Sequence, residues 1–259
     1  MYDKYWNPDP EILFCHEIPS FFDDKEHISV IVTNYNYENY IIECLESISN
    51  QTYNNLSLII VDDNSDRFES IEIISDWMNK NKHRFISMKF LKNSMNQGPS
   101  ASRNTAIMHS LSEIIFIIDA DNTIMRTAIS KLYNCLNRTN AQGVYCQIAK
   151  FGDQNQIGSA DLWDPTEMFH KNYVDVMAMI KKSAWSQVGG FSHIEDGWED
   201  YDFWLKFIDN NIDMVFLPEI LCRYRVHESS RTATEAYKHH DDLAIIMRYR
   251  HPEQPKTKE

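Results

Sequence analysis

The chain has 259 residues, of which 43% are hydrophobic, so it can bury the core of one large α/β domain or of one domain with a small appendage. Its formal net charge is −13, from 38 acidic and 25 basic side chains. That balance argues against a general binder of nucleic-acid phosphates, although a local basic group could still hold the phosphates of a nucleotide.

The cysteines and the hydropathy indicate the cellular compartment in which we expect the protein. Five cysteines, an odd number, are scattered without a CxxC spacing, which indicates a reducing compartment and neither a disulfide framework nor a zinc site. There is no signal-peptide pattern, and no apolar run approaches the roughly 20 residues of a membrane span. We expect a cytoplasmic protein without an integral membrane segment, whose attachment to a membrane, if any, would come through a partner or a further domain.

Strands and helices alternate in the first half of the chain. Residues 1–27 show no helix or strand period and are interpreted as an irregular arm or linker that packs through Tyr5, Trp6 and Phe14. The hydrophobic pattern then predicts strands over 28–33, 56–61, 86–91 and 114–118, with helices that begin near Ile41, Phe68 and Gly98. This alternation predicts a mostly parallel sheet with helices on both faces and right-handed crossovers.

Polar residues follow the carboxyl ends of these strands, where open α/β sheets bind ligands. Thr33 ends the first strand, Asp63 follows the second, and Asp119 and Asp121 follow the fourth. Two carboxylates one residue apart suit a Mg²⁺ or Mn²⁺ ion that also holds phosphate oxygens, but a strand end followed by a turn cap gives the same pattern. Asp63 could equally belong to an Asx turn. No GxGxxG follows the first strand, which argues against dinucleotide binding.

The second half of the chain is less regular. The pattern predicts a helix over 127–137, a strand over 143–151, an aperiodic loop over 152–171, a strand-like stretch over 174–180, a helix over 183–188, strands over 214–217 and 220–226, and a helix over 235–249. Five acids lie between Glu195 and Asp202; they cannot all be ionised in a dry site, so we expect Asp202 to be solvated. Glu199 and Asp200 would lie at a helix N-terminus, where first-turn acids also have a purely structural use. A single histidine after a strand, such as His227, is more often hydrogen-bonded than a ligand.

Seven motifs in order resemble the family 2 glycosyltransferases, which have the GT-A nucleotide-sugar fold. They are Thr33-Asn34-Tyr35-Asn36, Val61-Asp62-Asp63-Asn64-Ser65, Asn96-Gln97-Gly98 with Arg103-Asn104, Asp119-Ala120-Asp121, Gly189-Gly190-Phe191, Trp198-Glu199-Asp200 and Tyr224-Arg225-Val226-His227. The resemblance implies an α/β domain over 28–231 with a Rossmann-like open twisted, mostly parallel sheet flanked by helices. It divides this domain into a nucleotide-sugar-binding half over 28–125 and an acceptor half over 126–231, followed by a helix and tail over 232–259.

The resemblance implies roles on the donor side. Asp63 would accept a hydrogen bond from a ring N–H of the nucleotide base, uracil in many members, with Thr33 beside it and Tyr35 offering an aromatic face. Asp119 would face the ribose. Asp121 would bind a Mn²⁺ or Mg²⁺ ion that bridges the two phosphates. The implied donor-binding residues are Thr33, Tyr35, Asp63, Gly98, Arg103, Asp119, Ala120 and Asp121.

The resemblance also implies an acceptor side and a mechanism. Asp200 would be the general base, Trp198 and Glu199 would contact the acceptor, and His227 would complete the metal site with Asp121. One base without an enzyme nucleophile implies a single displacement with inversion at the anomeric carbon. The implied substrates are a UDP-sugar, or a GDP- or TDP-sugar, and a glycan, lipid-linked or protein acceptor in polysaccharide or glycoconjugate assembly.

Two other classes of function fit part of the sequence. A non-catalytic nucleotide-sugar or glycan-binding module would keep the fold without turnover. A nucleotidyltransferase would also use an α/β sheet and Mg²⁺, but it would be expected to carry a glycine-rich, basic loop after the first strand, where this chain has Thr33-Asn34-Tyr35-Asn36. The sequence leaves open the sugar, the acceptor, the oligomeric state and the presence of further domains.

Overall fold

The sheet is organised around β2, a strand with every residue buried. The computed structural model describes residues 6–17, 26–228 and 238–252. The strands in these ranges are β1 (Glu11–Glu17), β2 (Ile28–Asn34), β3 (Leu56–Asp62), β4 (Ser87–Lys92), β5 (Ile114–Asp119), β6 (Thr123–Ile124), β7 (Gly143–Gly152), β8 (Gln156–Ile157), β9 (Ala178–Lys181) and β10 (Met214–Val226). They form one sheet in the order β1-β4-β3-β2-β5-β9-β7-β10-β6, with β8 paired to β7.

The helices cover both faces of this sheet. They are α1 (Ile41–Ser49), α2 (Phe68–Asn81), α3 (Gly98–Met108), α4 (Ala128–Arg138), α5 (Pro165–Met168), α6 (Lys182–Gln187), α7 (Glu199–Asp209) and α8 (His240–Arg250). Buried residues of α1, α2 and α4 share one core cluster with Val30 and Val32 of β2, and those of α3, α6, α7 and α8 share a second cluster with Ile31. Successive β2 side chains therefore point into opposite layers, as the period of a strand requires.

The order in which strands are added to the sheet reverses at β2. From β2 it proceeds outward through β3 and β4, and then returns to place β5 on the other side of β2. These four strands run parallel, and Thr33 pairs with Asp119 while Asn34 pairs with Asp62. The gap between the carboxyl ends of β2 and β5 is the topological switch point, where open α/β sheets have a crevice for ligands.

The predicted architecture is confirmed, and the differences lie in single elements. The interpretation of residues 1–27 as an irregular arm was wrong for Glu11–Glu17, which forms β1 and pairs antiparallel with β4. No residue of this edge strand is fully buried, and its short apolar run, Ile12-Leu13-Phe14-Cys15, shows no period-2 alternation. Trp6 Nε1 donates a hydrogen bond to Thr105 Oγ1 and Phe14 packs against the first core cluster, whereas Tyr5 lies outside the described residues.

The two predicted late strands are one strand, β10. Its pairing with β7 shifts register between Leu217 and Cys222, so the strand accommodates Pro218 as an irregularity instead of ending there. The strand-like stretch over 174–180 is regular only in β9, and the helix predicted over 235–249 begins at His240, with residues 235–237 outside the described ranges. No helix in the described ranges is long and apolar enough to span a bilayer.

Candidate active site

A cavity of about 1400 Å³ opens at the carboxyl ends of β2, β3 and β5. Nearly all the residues predicted for the site line it, and they come from both halves of the chain: Thr33, Tyr35, Asp63, Gly98, Arg103, Asp119, Asp121, Trp198, Glu199 and Asp200. Two predicted residues do not line it. Ala120 is fully buried in the core, with its amide bonded to the Thr33 carbonyl, and His227 lies behind Asp121.

The acids after β3 have different environments. Asp62 is fully buried and accepts hydrogen bonds from the Ser65 amide at 2.8 Å and from Asn34 Nδ2 at 2.7 Å, so its side chain caps the turn after β3 and has the structural role. Asp63, the next residue, lines the cavity. The motif therefore contains both a structural turn residue, Asp62, and a residue of the cavity, Asp63.

The Asp63 carboxylate is fixed by the start of α3. Its Oδ1 accepts from Asn93 Nδ2 at 2.6 Å and from the Gln97 amide at 2.9 Å, and its Oδ2 accepts from the Gly98 amide at 2.7 Å. Gly98 has φ +83°, which glycine adopts without strain. Burial raises the pKa of Asp63 against the effect of these hydrogen bonds. The first amides of α3 thus hold a protein carboxylate in place of an external anion, and Oδ2 keeps capacity for a further donor.

Arg103 joins the two halves of the cavity. Its Nη2 donates to both oxygens of Asp119, at 2.9 and 3.0 Å, and its Nη1 donates to Glu199 Oε1 at 2.9 Å. Thr33 Oγ1 donates to Asp119 Oδ1 at 2.8 Å. Burial alone would lower the pKa of Arg103, but the carboxylates of Asp119 and Glu199 outweigh it and raise the pKa further above its ordinary value. The guanidinium is therefore paired inside the protein, and it acts on a ligand through the carboxylates that it orients.

Asp121 and His227 form a second polar pair at the edge of the cavity. Asp121 Oδ2 lies 3.0 Å from His227 Nε2, and both side chains are buried. The Arg225 guanidinium donates to the Asp121 carbonyl at 2.9 Å and its amide donates to Asn122 Oδ1 at 2.9 Å, which holds the end of β10 against the loop after β5. Tyr40 packs against the imidazole, with ring centroids 4.9 Å apart.

The Asp121–His227 pair offers one carboxylate oxygen and one imidazole nitrogen to a cation. Within the described ranges, no group of three or more His, Cys, Asp or Glu side chains is arranged to hold a metal ion. A divalent ion at this pair would need further oxygen ligands from a bound substrate or water. The donor set fits Mn²⁺ or Mg²⁺ on those terms, because both ions accept oxygen and Mn²⁺ also accepts nitrogen, and both leave positions for phosphate oxygens.

Asp200 lies in the first turn of α7 and lines the same cavity as Asp119 and Asp121. Its Oδ2 accepts from Asn172 Nδ2 at 3.2 Å and its Oδ1 accepts from the Tyr201 amide at 2.8 Å. Burial, followed by the charges of Glu199 and Asp175, raises the pKa of Asp200 to about 7. A carboxyl with that pKa can exchange a proton near neutral pH.

Trp198 has an unusual backbone conformation. Its φ of +61° lies in the left-handed region, which a bulky residue occupies at a cost of about 1–3 kcal/mol. Its ring packs edge-on against Tyr201 and His240, with centroids 5.7 and 5.1 Å away. These contacts hold the indole where it lines the cavity, next to the first turn of α7.

The expectation that Asp202 is solvated was wrong. Asp202 is fully buried, and it accepts from Arg250 Nε at 2.6 Å and lies 3.0 Å from His251 Nε2 and 3.5 Å from Lys206 Nζ. Burial would raise its pKa, but the hydrogen bond with His251, the charge of Lys206 and the hydrogen bond from Arg250 outweigh burial and lower the pKa. Lys206 is four residues further along α7, whereas Arg250 and His251 come from the end of α8, which the sequence pattern around Asp202 does not contain.

The sequence motifs Arg103-Asn104 and Gly189-Gly190-Phe191 meet through Asn104. Its Oδ1 accepts from Trp185 Nε1 and from the Phe191 amide, both at 2.9 Å, and its Nδ2 donates to the Phe191 carbonyl at 2.8 Å. A Cβ at Gly190 would lie 2.7 Å from Asn104 Oδ1. Only glycine allows this approach. The polar residues that sequence reasoning missed include Asn172 and Asp175, which line the cavity but belong to no motif.

Comparisons with known proteins identify the family. The model of a family described as glycosyl transferase family 2 matches residues 29–193. The uncharacterized glycosyltransferase MJ1057 of Methanocaldococcus jannaschii is 30% identical over 212 residues, which cover 78% of this chain and 72% of that protein.

Solved structures show the same fold at lower identity. Residues 1–349 of S. aureus TarS, in complex with UDP-GlcNAc, match with a TM-score of 0.72 and 17% identity over 88% of this chain and 68% of that chain. The mannosyltransferase PcManGT of Pyrobaculum calidifontis, in complex with GDP-Man and Mn²⁺, matches with a TM-score of 0.65 and 18% identity over 86% of this chain and 63% of that chain. This chain is thus a glycosyltransferase with the GT-A fold, and it belongs to glycosyl transferase family 2.

Proposed function

We propose that this glycosyltransferase transfers a sugar from a nucleotide diphosphate sugar, with UDP-sugars favoured, to a hydroxyl group of an acceptor, with inversion at the anomeric carbon. The observation that carries the proposal is the arrangement of one cavity. Asp121, which is paired with His227, lines the same cavity as Asp200, a carboxyl whose pKa is raised to about 7.

The donor half supports a nucleotide with a ring N–H. Asp63 Oδ2 accepts one internal hydrogen bond, and as a carboxylate oxygen it can accept another from a base. Tyr35 is 38% exposed and lines the same cavity, so its ring is available for stacking on that base. S. aureus TarS binds UDP-GlcNAc and PcManGT binds GDP-Man. Uracil and guanine both present ring N–H groups. We favour UDP because the TarS structure with UDP-GlcNAc matches this chain with the higher TM-score, 0.72 against 0.65.

Different residues of the cavity have different roles in the reaction. Asp121 and His227 would hold Mn²⁺ or Mg²⁺, which, when bound, neutralises charge that develops on the leaving diphosphate. Asp119, held by Arg103 and Thr33, presents its oxygens to the ribose. Asp200 takes the proton from the acceptor hydroxyl as that oxygen attacks. The Trp198 indole gives an apolar face on which a sugar ring of the acceptor can stack.

A single displacement accounts for these roles. Asp200 acts as base, and the attacking oxygen belongs to the acceptor, so no covalent sugar–enzyme intermediate is required and the configuration inverts. The acceptor is a glycan, a lipid-linked sugar or a protein hydroxyl in polysaccharide or glycoconjugate assembly. NMR of the product linkage measures the configuration directly, and retention would contradict the mechanism.

Calorimetric titration tests the donor half. UDP and GDP are titrated separately into the protein, each with and without Mn²⁺. We expect one nucleotide to bind, its affinity to depend on the metal, and that dependence to disappear in Asp121→Ala. The matched control is Asp153→Ala, an exposed acid outside the cavity, which should bind as the unchanged protein does. A folded protein that binds neither nucleotide would overturn the proposal.

A further inference from the structure

Asp175 is a carboxylate of the cavity that no sequence motif includes. It lies between Val174 and Val176, whose side chains are buried in the second core cluster, three residues before β9 begins. Asp175 itself is only partly buried, and it lines the cavity. The flanking valines therefore fix the backbone while the carboxylate faces the space where substrates bind.

One oxygen of this carboxylate is fixed and the other is available. Asp175 Oδ1 accepts from the Met177 amide at 2.9 Å, which closes a tight turn. Within the described residues, Oδ2 makes no hydrogen bond and is not buried away from the cavity. A carboxylate oriented in this way can accept hydrogen bonds from a ligand and cannot donate any.

Asp175 lies near residues of both the donor side and the acceptor side of the cavity. It lines the cavity with them, and it interacts electrostatically with Asp119, Arg103 and Asp121 and with Asp200. In a single displacement the anomeric carbon lies between the leaving diphosphate and the hydroxyl that the base activates. A cavity side chain that is near both groups of residues is therefore placed to reach the sugar that is transferred.

We propose that Asp175 Oδ2 accepts hydrogen bonds from the hydroxyl groups of the transferred sugar and selects a neutral hexose or N-acetylhexosamine, an inference that rests on the proposed function. A carboxylate favours a sugar that presents O–H donors to it. It disfavours a uronic acid, because the sugar carboxylate would meet the like charges of Asp175 and Asp200, which line the cavity close to each other.

The test compares nucleotide with nucleotide-sugar binding in Asp175→Asn. Asparagine keeps an oxygen for the Met177 amide, so the turn is preserved, but it removes the charge and replaces one acceptor by a donor. We expect the affinity for UDP with Mn²⁺ to stay within about twofold, because Asp175 acts on the sugar. The affinities for UDP-glucose and UDP-N-acetylglucosamine, relative to UDP, should fall about tenfold or more, which is typical of losing a hydrogen bond to a charged group.

The choice of sugar gives a second readout. UDP-glucuronate should bind the unchanged protein more weakly than UDP-glucose, and that difference should shrink in Asp175→Asn. Asp153→Asn is the matched control and should change neither ratio. Unchanged ratios and an unchanged preference in Asp175→Asn would overturn the assignment while leaving the proposed function standing. If the proposed function itself fails, the unchanged protein binds no nucleotide, and the inference falls with it.

Discussion

Asp200 is surrounded by charges that decide when it can act as a base. Glu199 is its neighbour on α7, Asp175 faces it from the segment before β9, and Arg103 on α3 is the cation that offsets them. The net effect favours the protonated carboxyl until the pH reaches about 7. The residue is therefore poised where a modest change in its surroundings changes its protonation state.

The pH dependence of turnover follows from this environment. The base must be ionised, so kcat/KM should rise with pH through about 7 and then level off. Asp175→Asn removes a like charge, which lowers the pKa of Asp200 and moves the rising limb to lower pH. A pH–rate profile of the unchanged protein and of Asp175→Asn measures both effects. If the rising limb lies at the same pH in both proteins, Asp175 does not act electrostatically on Asp200.

The same environment predicts that Asp200 limits stability. Above pH 7 the folded protein holds an ionised carboxylate at a site that disfavours the charge, whereas the unfolded chain solvates it freely. Asp200→Asn should therefore abolish transfer while the melting temperature at pH 8 rises, by about 2–4 °C for each kcal/mol relieved. Calorimetry at pH 8 and at pH 5 tests whether the charge of Asp200 is the cause, because the increase in melting temperature should then be smaller at pH 5. A loss of stability at pH 8 would contradict the assignment.

At the scale of elements, α8 is fastened at both ends to the acceptor side. Arg250 and His251 at its carboxyl end bind the buried Asp202 of α7, and His240 at its start packs against Trp198. Burial would lower the pKa of His251, but its hydrogen bonds with Asp202 and Asp209 outweigh this and raise it. The last described helix is thus a structural part of the wall that holds Trp198 and Asp200.

The docking of α8 should depend on pH in a defined window. The raised pKa of His251 contributes stability that is complete below its ordinary value of 6.5 and is lost as the pH rises through the folded pKa. The lowered pKa of Asp202 contributes stability that is complete above its ordinary value of 3.8 and is lost as the pH falls through the folded pKa. Protection of the 240–250 amides from exchange, relative to the intrinsic rate at each pH, should therefore be greatest between about pH 4 and 6.5.

Removing the buried acid tests this attachment. Asp202→Ala leaves His251 and Arg250 without their carboxylate and should destabilise the protein by about 3 kcal/mol. Amide exchange should increase over 240–250 and over the first turn of α7. Asp242→Ala, an exposed acid on α8, is the control and should have little effect. Equal exchange in the two variants would show that Asp202 does not hold the helix.

The elements themselves were largely predictable, because buried parallel strands have continuous apolar sequences and their carboxyl ends mark the site. The edge strand β1 was not, because its apolar run of four residues is short and shows no period-2 alternation. Nor were the partners of charged residues: Arg103 is 96 positions from Glu199, and Asp202 is 48 positions from Arg250. Local sequence patterns carry no information about pairs at such separations. The sequence therefore indicated which acids belong to the site, but it did not indicate which residues each acid contacts.

At the scale of the whole molecule, the two halves meet around Arg103. A lysine in its place has one ammonium group and cannot donate to Asp119 and Glu199 with the same geometry. Arg103→Lys should lower kcat/KM for both donor and acceptor by about tenfold or more, whereas Arg126→Lys, a conservative change on the exposed surface, should not. Initial rates with each substrate varied in turn measure this, and an effect confined to the donor would show that the bridge does not serve the acceptor half.

A guanidinium shared by two carboxylates has a kinetic consequence. Both oxygens of Asp119 accept hydrogen bonds from Arg103, and a ribose hydroxyl that also donates to this carboxylate would weaken its hold on the guanidinium and favour the contact between Arg103 and Glu199. We therefore expect the acceptor side to take its final geometry only after the donor has bound. The reaction should consequently follow a compulsory order, with the free nucleotide as the last product to leave. In product-inhibition experiments that nucleotide would compete with the donor and give mixed inhibition against the acceptor.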